Sequence, residues 1–174
     1  RLMRLATDAF LNYERRVRGM SGRPRTGLEL GCDAAEMMSE EMFREFVSPY
    51  YRECYEAFPG ARALHMCGKI DHLLEIIRDE IKVTKLYGFG SFADPERLSD
   101  VMGGKVVMSG GIDVVLLKDG PIEAIKKECR RYLEIFAPRG GYILQDGFNV
   151  APGTPLENLH AMVESSKEFA RQYR

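Results

Sequence analysis

Residues 61–79 read ARALHMCGKIDHLLEIIRD, an apolar run that ends on polar residues and is followed by an amphipathic segment. The run Ala61–Met66 predicts a short strand. The segment Ile70–Asp79 repeats its apolar side chains at helical spacing and therefore predicts a helix. The stretch His65-Met66-Cys67-Gly68 lies where the strand gives way to the helix. This is the pattern of one βα unit of a parallel sheet.

The same alternation of apolar run and helical segment recurs along the whole chain. Residues 1–26 predict a leading helix, over about residues 2–18, and a loop, whereas residues 27–174 predict successive βα units in a single domain. The predicted strands are Gly27–Gly31, Ala61–Met66, Val83–Tyr87, Lys105–Ser109 and Gly141–Gln145. The helices that follow the first are predicted to begin near Ser39, Ile70, Pro95, Pro121 and Pro155.

Alternating strands and helices imply parallel strands joined by right-handed crossovers. Both an open doubly wound sheet and a barrel satisfy this pattern. The predicted strands end on polar or glycine-rich residues, at Cys32-Asp33, His65–Gly68, Tyr87–Ser91, Gly110–Asp113 and Asp146–Asn149. A barrel directs all such ends toward one axis, so the pattern favours an α/β fold of the (β/α)8 TIM type with outer helices. A complete barrel has about 250 residues, which predicts either a fragment or a half-barrel completed by another chain.

The composition is ordinary for a globular domain and carries no excess of charge. The 174 residues include 25 Lys or Arg and 26 Asp or Glu, for a formal net charge of −1. This balance gives no electrostatic reason to expect a nucleic acid or a membrane surface as partner. No apolar run approaches the roughly 20 residues that span a bilayer. The 4 cysteines are irregularly spaced, which indicates no disulfide framework and favours a cytoplasmic protein.

His65 and Cys67 are candidate metal ligands. Alternate residues at the end of a strand leave on the same face, so the imidazole and the thiolate provide two corners of a tetrahedral zinc site. A strand-end histidine beside a buried cysteine explains the same spacing equally well. Asp33 and Glu36 follow the first strand and are candidates to contact a ligand or to complete the metal shell. A carboxylate at that place also serves as a helix cap.

Three residues at the end of the fourth strand are candidates for substrate binding. Gly110 and Gly111 resemble a phosphate-binding loop only in part, because the later glycines of a dinucleotide fingerprint and the Gly-Lys-Ser/Thr of a P-loop are missing. Asp113 follows the double glycine. Its carboxylate can accept hydrogen bonds from a ligand or cap the next helical turn, and the sequence leaves both alternatives open.

The segment SEEMFREFVSPY, residues 39–50, resembles a stretch of the uroporphyrinogen decarboxylase superfamily, which includes the corrinoid-dependent methyltransferases. Four further segments match in the same order, namely His65–Gly68, Gly110–Asp113, Gly140–Leu144 and Ala151–Asn158. The resemblance covers nearly the whole chain and implies the C-terminal half of a (β/α)8 barrel. In true decarboxylases the N-terminal half, which falls outside this sequence, holds the key aspartate and an arginine cluster.

Within that superfamily, the pair His65 and Cys67 is similar to zinc ligands of the methyltransferase branch, whereas true decarboxylases use no metal. The resemblance implies a zinc-dependent methyltransferase that moves a methyl group between a corrinoid, carried by a partner protein, and a small-molecule acceptor. The acceptor would be a thiol or tetrahydrofolate. A uroporphyrinogen decarboxylase, and an inactive fragment that only binds a ligand or a partner, are the alternatives.

Phe148 occupies the position that resembles a third ligand, a cysteine, of the thiol methyltransferases. Phenylalanine cannot bind a metal, so His65 and Cys67 alone fall short of the three or four protein ligands that zinc normally has. Phe148 and Asn149 are expected to contact the substrate instead. A homodimer, or association with the N-terminal half of the barrel, is expected to cover the unpaired sheet edges. Candidates for the third ligand are Asp33, Glu36 and Asp146.

Overall fold

In the computed structural model, parallel strands and helices alternate along the chain, and the structure describes residues 1–22 and 26–172. The strands are β1 (Leu28–Gly31), β2 (Arg62–His65), β3 (Lys85–Phe89), β4 (Val107–Ile112) and β5 (Tyr142–Asp146). The α-helices are α1 (Leu2–Ser21), α2 (Glu40–Phe46), α3 (Ser48–Ala57), α4 (Pro95–Met102), α5 (Val114–Asp119), α6 (Ile122–Phe136) and α7 (Leu156–Gln172). Short 3₁₀ turns occur at Asp33–Met37, Asp71–Leu73 and Ala137–Arg139.

The strands pair in the order in which they occur in the sequence, and every pair is parallel. An open doubly wound sheet reverses its strand order at a switch point, whereas a barrel adds each strand beside the previous one. The uninterrupted order β1-β2-β3-β4-β5 is therefore that of a barrel segment. This order confirms the predicted α/β architecture and decides between the two arrangements that the sequence left open.

The hydrophobic core lies between the outer face of the sheet and the helices. Leu64, Leu86 and Met108 are paired across β2, β3 and β4, and all three are completely buried. Phe136 of α6 packs against Phe89 of β3, with ring centroids 6.0 Å apart. Burial of large apolar side chains on this face is the main force that holds the helices against the sheet.

The inner face of the sheet carries polar side chains, because successive residues of a strand point to opposite faces. The Tyr87 hydroxyl donates a hydrogen bond to the Glu29 carboxylate, and the Ser109 hydroxyl donates to the Gln145 side-chain oxygen. In a (β/α)8 barrel this face points to the interior. Polar groups of neighbouring strands thus pair with one another below the candidate site.

Each strand begins one or two residues later than predicted, and the largest differences lie at the ends of β3 and β4. β3 extends to Phe89 and β4 to Ile112, so Gly110 and Gly111 lie inside a buried strand and not in the loop after it. A Cβ at Gly110 would lie 2.5 Å from the carbonyl oxygen of Phe89, and one at Gly111 would lie 2.4 Å from the Tyr132 ring. The interpretation of these glycines as a loop is wrong, and close packing explains why no side chain fits.

The helix predicted over Ile70–Asp79 is irregular. It consists of a 3₁₀ turn at Asp71–Leu73 and a π-helix at Ile76–Ile81, which ends on Lys82 in the left-handed conformation with φ of 60°. The isoleucines of the π-helix are buried, as the apolar spacing predicts. Apolar spacing reports which side chains face the core, but it does not distinguish one helical hydrogen-bond pattern from another.

The leading helix extends from Leu2 to Ser21 and is therefore longer than predicted at its C-terminal end. Residues 23–25, which belong to the loop predicted after this helix, lie outside the described residues. Across the described ranges 1–22 and 26–172, no helix combines the length and the apolar character needed to cross a membrane.

Candidate metal centre

The candidate metal centre lies where the carboxyl ends of β1 and β2 meet. β1 ends at Gly31, and the 3₁₀ turn after it begins at Asp33. β2 ends at His65, and Cys67 follows two positions later. The parallel register places Gly31 beside His65, and His65 beside Tyr87 of β3. This register brings side chains that are distant in sequence to the same edge of the sheet, where active sites of (β/α)8 barrels are built.

Asp33, His65 and Cys67 present ligand atoms that lie within 4.8 Å of one another. His65 Nε2 is 3.5 Å from Asp33 Oδ1, and Cys67 Sγ donates a hydrogen bond to the same oxygen at 3.3 Å. Around a tetrahedral zinc ion with bonds of about 2.0–2.3 Å, neighbouring ligand atoms are about 3.3–3.8 Å apart. Both distances fall in that range, so Asp33 lies at the spacing of a zinc ligand from His65 and from Cys67.

The thiol of Cys67 is protonated at neutral pH when no cation lies beside it. Burial, and next the hydrogen bond to Asp33, raise the pKa of Cys67 to about 11. The proton stays on sulfur and is shared with the Asp33 carboxylate. A divalent cation would take the place of this proton, because metals bind the thiolate form of cysteine.

Two aromatic rings lie near the His65 imidazole. The Tyr87 ring centroid is 5.0 Å from it, and the Phe148 ring centroid is 6.3 Å from it. Burial, together with the hydrogen bond to Glu29, raises the pKa of Tyr87 above its ordinary value, so this residue is a neutral donor. Phe148 thus lies near the candidate ligands, as its resemblance to the position of a third ligand implied. It contributes an aromatic ring and no atom that binds a metal.

Among the three candidates for the third ligand, Asp33 is the one that the structure brings next to His65 and Cys67. Glu36 accepts a hydrogen bond from the backbone N–H of Lys69 at 3.1 Å. Asp146 ends β5, which is separated from β2 by two strands. Of the three candidates that the sequence left open, Asp33 is therefore the one whose position is compatible with a third ligand.

A cleft of about 420 Å³ opens beside Cys67 at the same edge of the sheet. Its volume lies in the range of small-molecule sites, which are about 300–1,000 Å³. A molecule bound there would adjoin the candidate metal ligands. The segments that follow all five strands line the cleft, with Glu36, Cys67, Gly68, Gly90, Ser91, Phe92, Asp113, Val114, Gly147 and Phe148.

Asp113 caps helix α5 and also faces the cleft. Its Oδ1 accepts hydrogen bonds from the backbone N–H groups of Val115 and Leu116 at 2.9 Å, and its Oδ2 accepts one from the Ser91 hydroxyl at 2.7 Å. Burial alone would raise the pKa of Asp113, but these hydrogen bonds outweigh burial and lower it. The capping alternative is therefore what the structure shows. Substrate binding by Asp113 stays a prediction, for which Ser91 is the neighbouring partner.

We expect Asp113→Ala to lower the free energy of unfolding by about 1–2 kcal/mol, because an N-cap is lost. Asp113→Asn retains the cap but removes the charge. Since the folded pKa is depressed, the carboxylate stabilises the fold above its unfolded pKa of about 3.9, and this stabilisation is lost as the pH falls through the folded pKa. Urea unfolding at about pH 7 and about pH 3 measures how far the free energy of unfolding falls with acidification. We expect a smaller fall for Asp113→Asn than for wild type. Equal losses would contradict this role of the carboxylate.

The remaining predicted substrate residues lie outside the cleft lining. Asn149 is exposed beside Phe148, while Gly110 and Gly111 are buried in β4. Ser91 and Phe92 line the cleft but were not predicted as site residues, although Ser91 belongs to the predicted strand end Tyr87–Ser91. Both lie within three residues of the end of β3, so the position after a strand end, which pointed to the other site residues, was the signal that could have found them.

Residues 1–169 match the family model of uroporphyrinogen decarboxylase (URO-D). The chain belongs to the URO-D family. Its URO-D-like sequence is 30% identical over 142 residues to methylcobamide:CoM methyltransferase MtaA of Methanosarcina barkeri, a match that covers 77% of this chain and 38% of that relative. A uroporphyrinogen decarboxylase of Chlorobium luteolum is 27% identical over 160 residues, with 84% of this chain and 45% of that relative covered.

A solved structure of a methyltransferase from Methanosarcina mazei is similar to this URO-D family member in fold, with a TM-score of 0.75 at 26% sequence identity. The match covers 95% of this chain and 48% of that chain. The chain thus spans less than half the length of these relatives. The comparisons confirm the predicted superfamily, its methyltransferase branch as the more similar one, and the partial barrel.

Proposed function

We propose that this chain is part of a corrinoid-linked methyltransferase in which Asp33, His65 and Cys67 bind zinc. The observation that carries the proposal is the set of three ligand atoms within 4.8 Å of one another, next to a cleft of small-molecule size. The relative MtaA is named for methyl transfer from methylcobamide to CoM. This name supports the reaction class, and the donor set supports the metal.

The residues of this chain bind and orient the reacting groups. His65 directs Nε2 toward Asp33, and the rings of Tyr87 and Phe148 lie near its imidazole. Asp33 Oδ1 accepts the proton of the Cys67 thiol as a hydrogen bond until that proton is displaced. When bound, zinc supplies a positive charge that lowers the pKa of a thiol beside it and thereby favours the nucleophilic thiolate.

The cleft beside Cys67 is proposed to hold the methyl acceptor, a thiol or tetrahydrofolate. The methyl group would come from a corrinoid carried by a partner protein. Two aromatic side chains at the rim of the cleft support an approach from this side, since Phe92 is 73% and Phe148 is 47% exposed. We further propose that a second copy of the chain, or the other half of the barrel, covers the unpaired edges of the sheet at β1 and β5.

Metal analysis of protein purified without a chelator tests this function. We expect about one zinc per chain in the wild type, and close to none in His65→Ala, because removal of the imidazole leaves two ligands where zinc normally has three or four. His160→Ala is the matched control, since His160 is exposed on α7. Background zinc in the wild type, or equal zinc in wild type and His65→Ala, would contradict the proposal.

A uroporphyrinogen decarboxylase is the second candidate, and the similarity to the protein of Chlorobium luteolum favours it. This candidate predicts release of carbon dioxide from uroporphyrinogen, without added metal, by a protein that also contains the N-terminal half, because that half holds the key aspartate of true decarboxylases. The methyltransferase proposal predicts none, and instead methyl transfer from a methylated corrinoid that depends on zinc. Absence of both activities in a zinc-loaded protein that also contains the N-terminal half would favour a role in ligand or partner binding alone.

A further inference from the structure

Gly88 lies against the His65 imidazole. A Cβ at position 88 would lie 2.2 Å from Cε1, 2.3 Å from Nδ1 and 3.2 Å from Nε2 of that ring. Real Cβ atoms do not approach another atom closer than 3.0 Å, so the ring and a side chain at position 88 exclude one another. The buried backbone of Gly88 therefore forms the surface on which the Cε1–Nδ1 edge of the ring rests.

A β-bulge in β3 places Gly88 there. Tyr87 pairs with Ser109 and Phe89 pairs with Gly110, so Gly88 is the extra residue between two consecutive pairs with β4. Its φ of 78° lies in the left-handed region, which glycine adopts readily and other residues do not. The bulge also turns Phe89 into the core, where it is completely buried. One extra residue thus serves both the core and the site.

We propose that Gly88 is a positioning residue for the candidate metal ligand His65. It holds the imidazole where Nε2 lies 3.5 Å from Asp33 Oδ1 and where the rings of Tyr87 and Phe148 are its aromatic neighbours. A methyl group at position 88 would displace the ring from this arrangement. The consequence for metal binding rests on the proposed function, whereas the contact between Gly88 and His65 does not.

Gly88→Ala and the control Gly153→Ala separate displacement of the ring from backbone strain. Gly153 has a φ of 81°, close to the 78° of Gly88, yet nothing lies within 4 Å of a Cβ at position 153. Both variants therefore place alanine at nearly the same positive φ, and only the Cβ of Gly88→Ala meets the imidazole.

The first readout is metal affinity, with Co²⁺ as a spectroscopic probe in place of zinc. Loss of a residue that orients a ligand typically costs about 10–100-fold in affinity, so we expect Gly88→Ala to bind Co²⁺ at least about tenfold more weakly than Gly153→Ala. We also expect an altered Co²⁺ absorption spectrum in Gly88→Ala alone. Equal affinities and spectra in the two variants would overturn the inference.

The second readout needs no metal and thus separates this inference from the proposed function. Both alanine variants are made with His65 present and in a His65→Ala background. With His65 present, we expect Gly88→Ala to lower the melting temperature by at least about 5 °C more than Gly153→Ala does. In the His65→Ala background the two variants should lower the melting temperature by the same amount. The inference would be overturned if Gly88→Ala lowered the melting temperature equally with His65 present and in the His65→Ala background. This outcome does not depend on whether the wild type binds zinc.

Discussion

Cys67→Ser is expected to reduce the zinc affinity of the protein by more than about 100-fold, which exceeds the 10–100-fold typical for loss of a residue that only orients a ligand. Cys67 supplies the sulfur of the three-residue donor set. Together with the Asp33 carboxylate, its thiolate provides the two negative charges that balance Zn²⁺. A serine hydroxyl does not ionise near neutral pH, so the variant retains one imidazole and one carboxylate.

Competition with a chromophoric chelator at neutral pH measures this loss of affinity. Cys32→Ser is the matched control, because Cys32 is also half-buried and also follows the end of a strand. It does not belong to the set formed by Asp33, His65 and Cys67. We expect Cys32→Ser to bind zinc within about threefold of the wild type, a difference of under 1 kcal/mol. Equal affinities of Cys67→Ser and Cys32→Ser would show that Cys67 is not a ligand.

Phe148→Cys is expected to raise the zinc affinity by at least about tenfold, or about 1.4 kcal/mol. Position 148 resembles that of the third ligand in thiol methyltransferases, and Phe148 lines the same cleft as Cys67. Its ring lies 6.3 Å from the His65 ring, measured between centroids. A thiolate there would add a second sulfur and a further negative charge to the set around Asp33, and zinc is normally held by four ligands.

Phe148→Ser separates the new ligand from the loss of the ring. Both variants replace a large aromatic side chain by a small one, but only cysteine provides a thiolate. The same chelator competition compares them with the wild type. An affinity of Phe148→Cys no greater than that of Phe148→Ser would mean that position 148 does not reach the metal.

The general arrangement of this site was predictable from the sequence. Apolar spacing locates the strands, and the carboxyl ends of parallel strands must share one edge, which already places His65 and Cys67 there. The resemblance of residues 39–50 and of four further segments then identified the family that the comparisons confirm. These features depend on local pattern, which a single sequence records directly.

The position of the candidate third ligand and the bulge depend on contacts between distant residues, which local pattern does not record. Asp33 meets His65 because the register pairs Gly31 with His65, and a shift of one residue would turn the side chains to the other face. The bulge at Gly88 likewise depends on how Phe89 packs in the core. An isolated glycine near a strand end predicts neither its left-handed conformation nor its contact with an imidazole.

A crystal structure of the zinc-loaded protein, with an anomalous difference map at the zinc edge, tests the central claim most directly. We expect one peak between Asp33, His65 and Cys67, with a Zn–S distance of about 2.3 Å, Zn–N of about 2.0–2.1 Å and Zn–O of about 2.0–2.2 Å. Zinc bound elsewhere on the protein, with no peak between these three side chains, would contradict the claim.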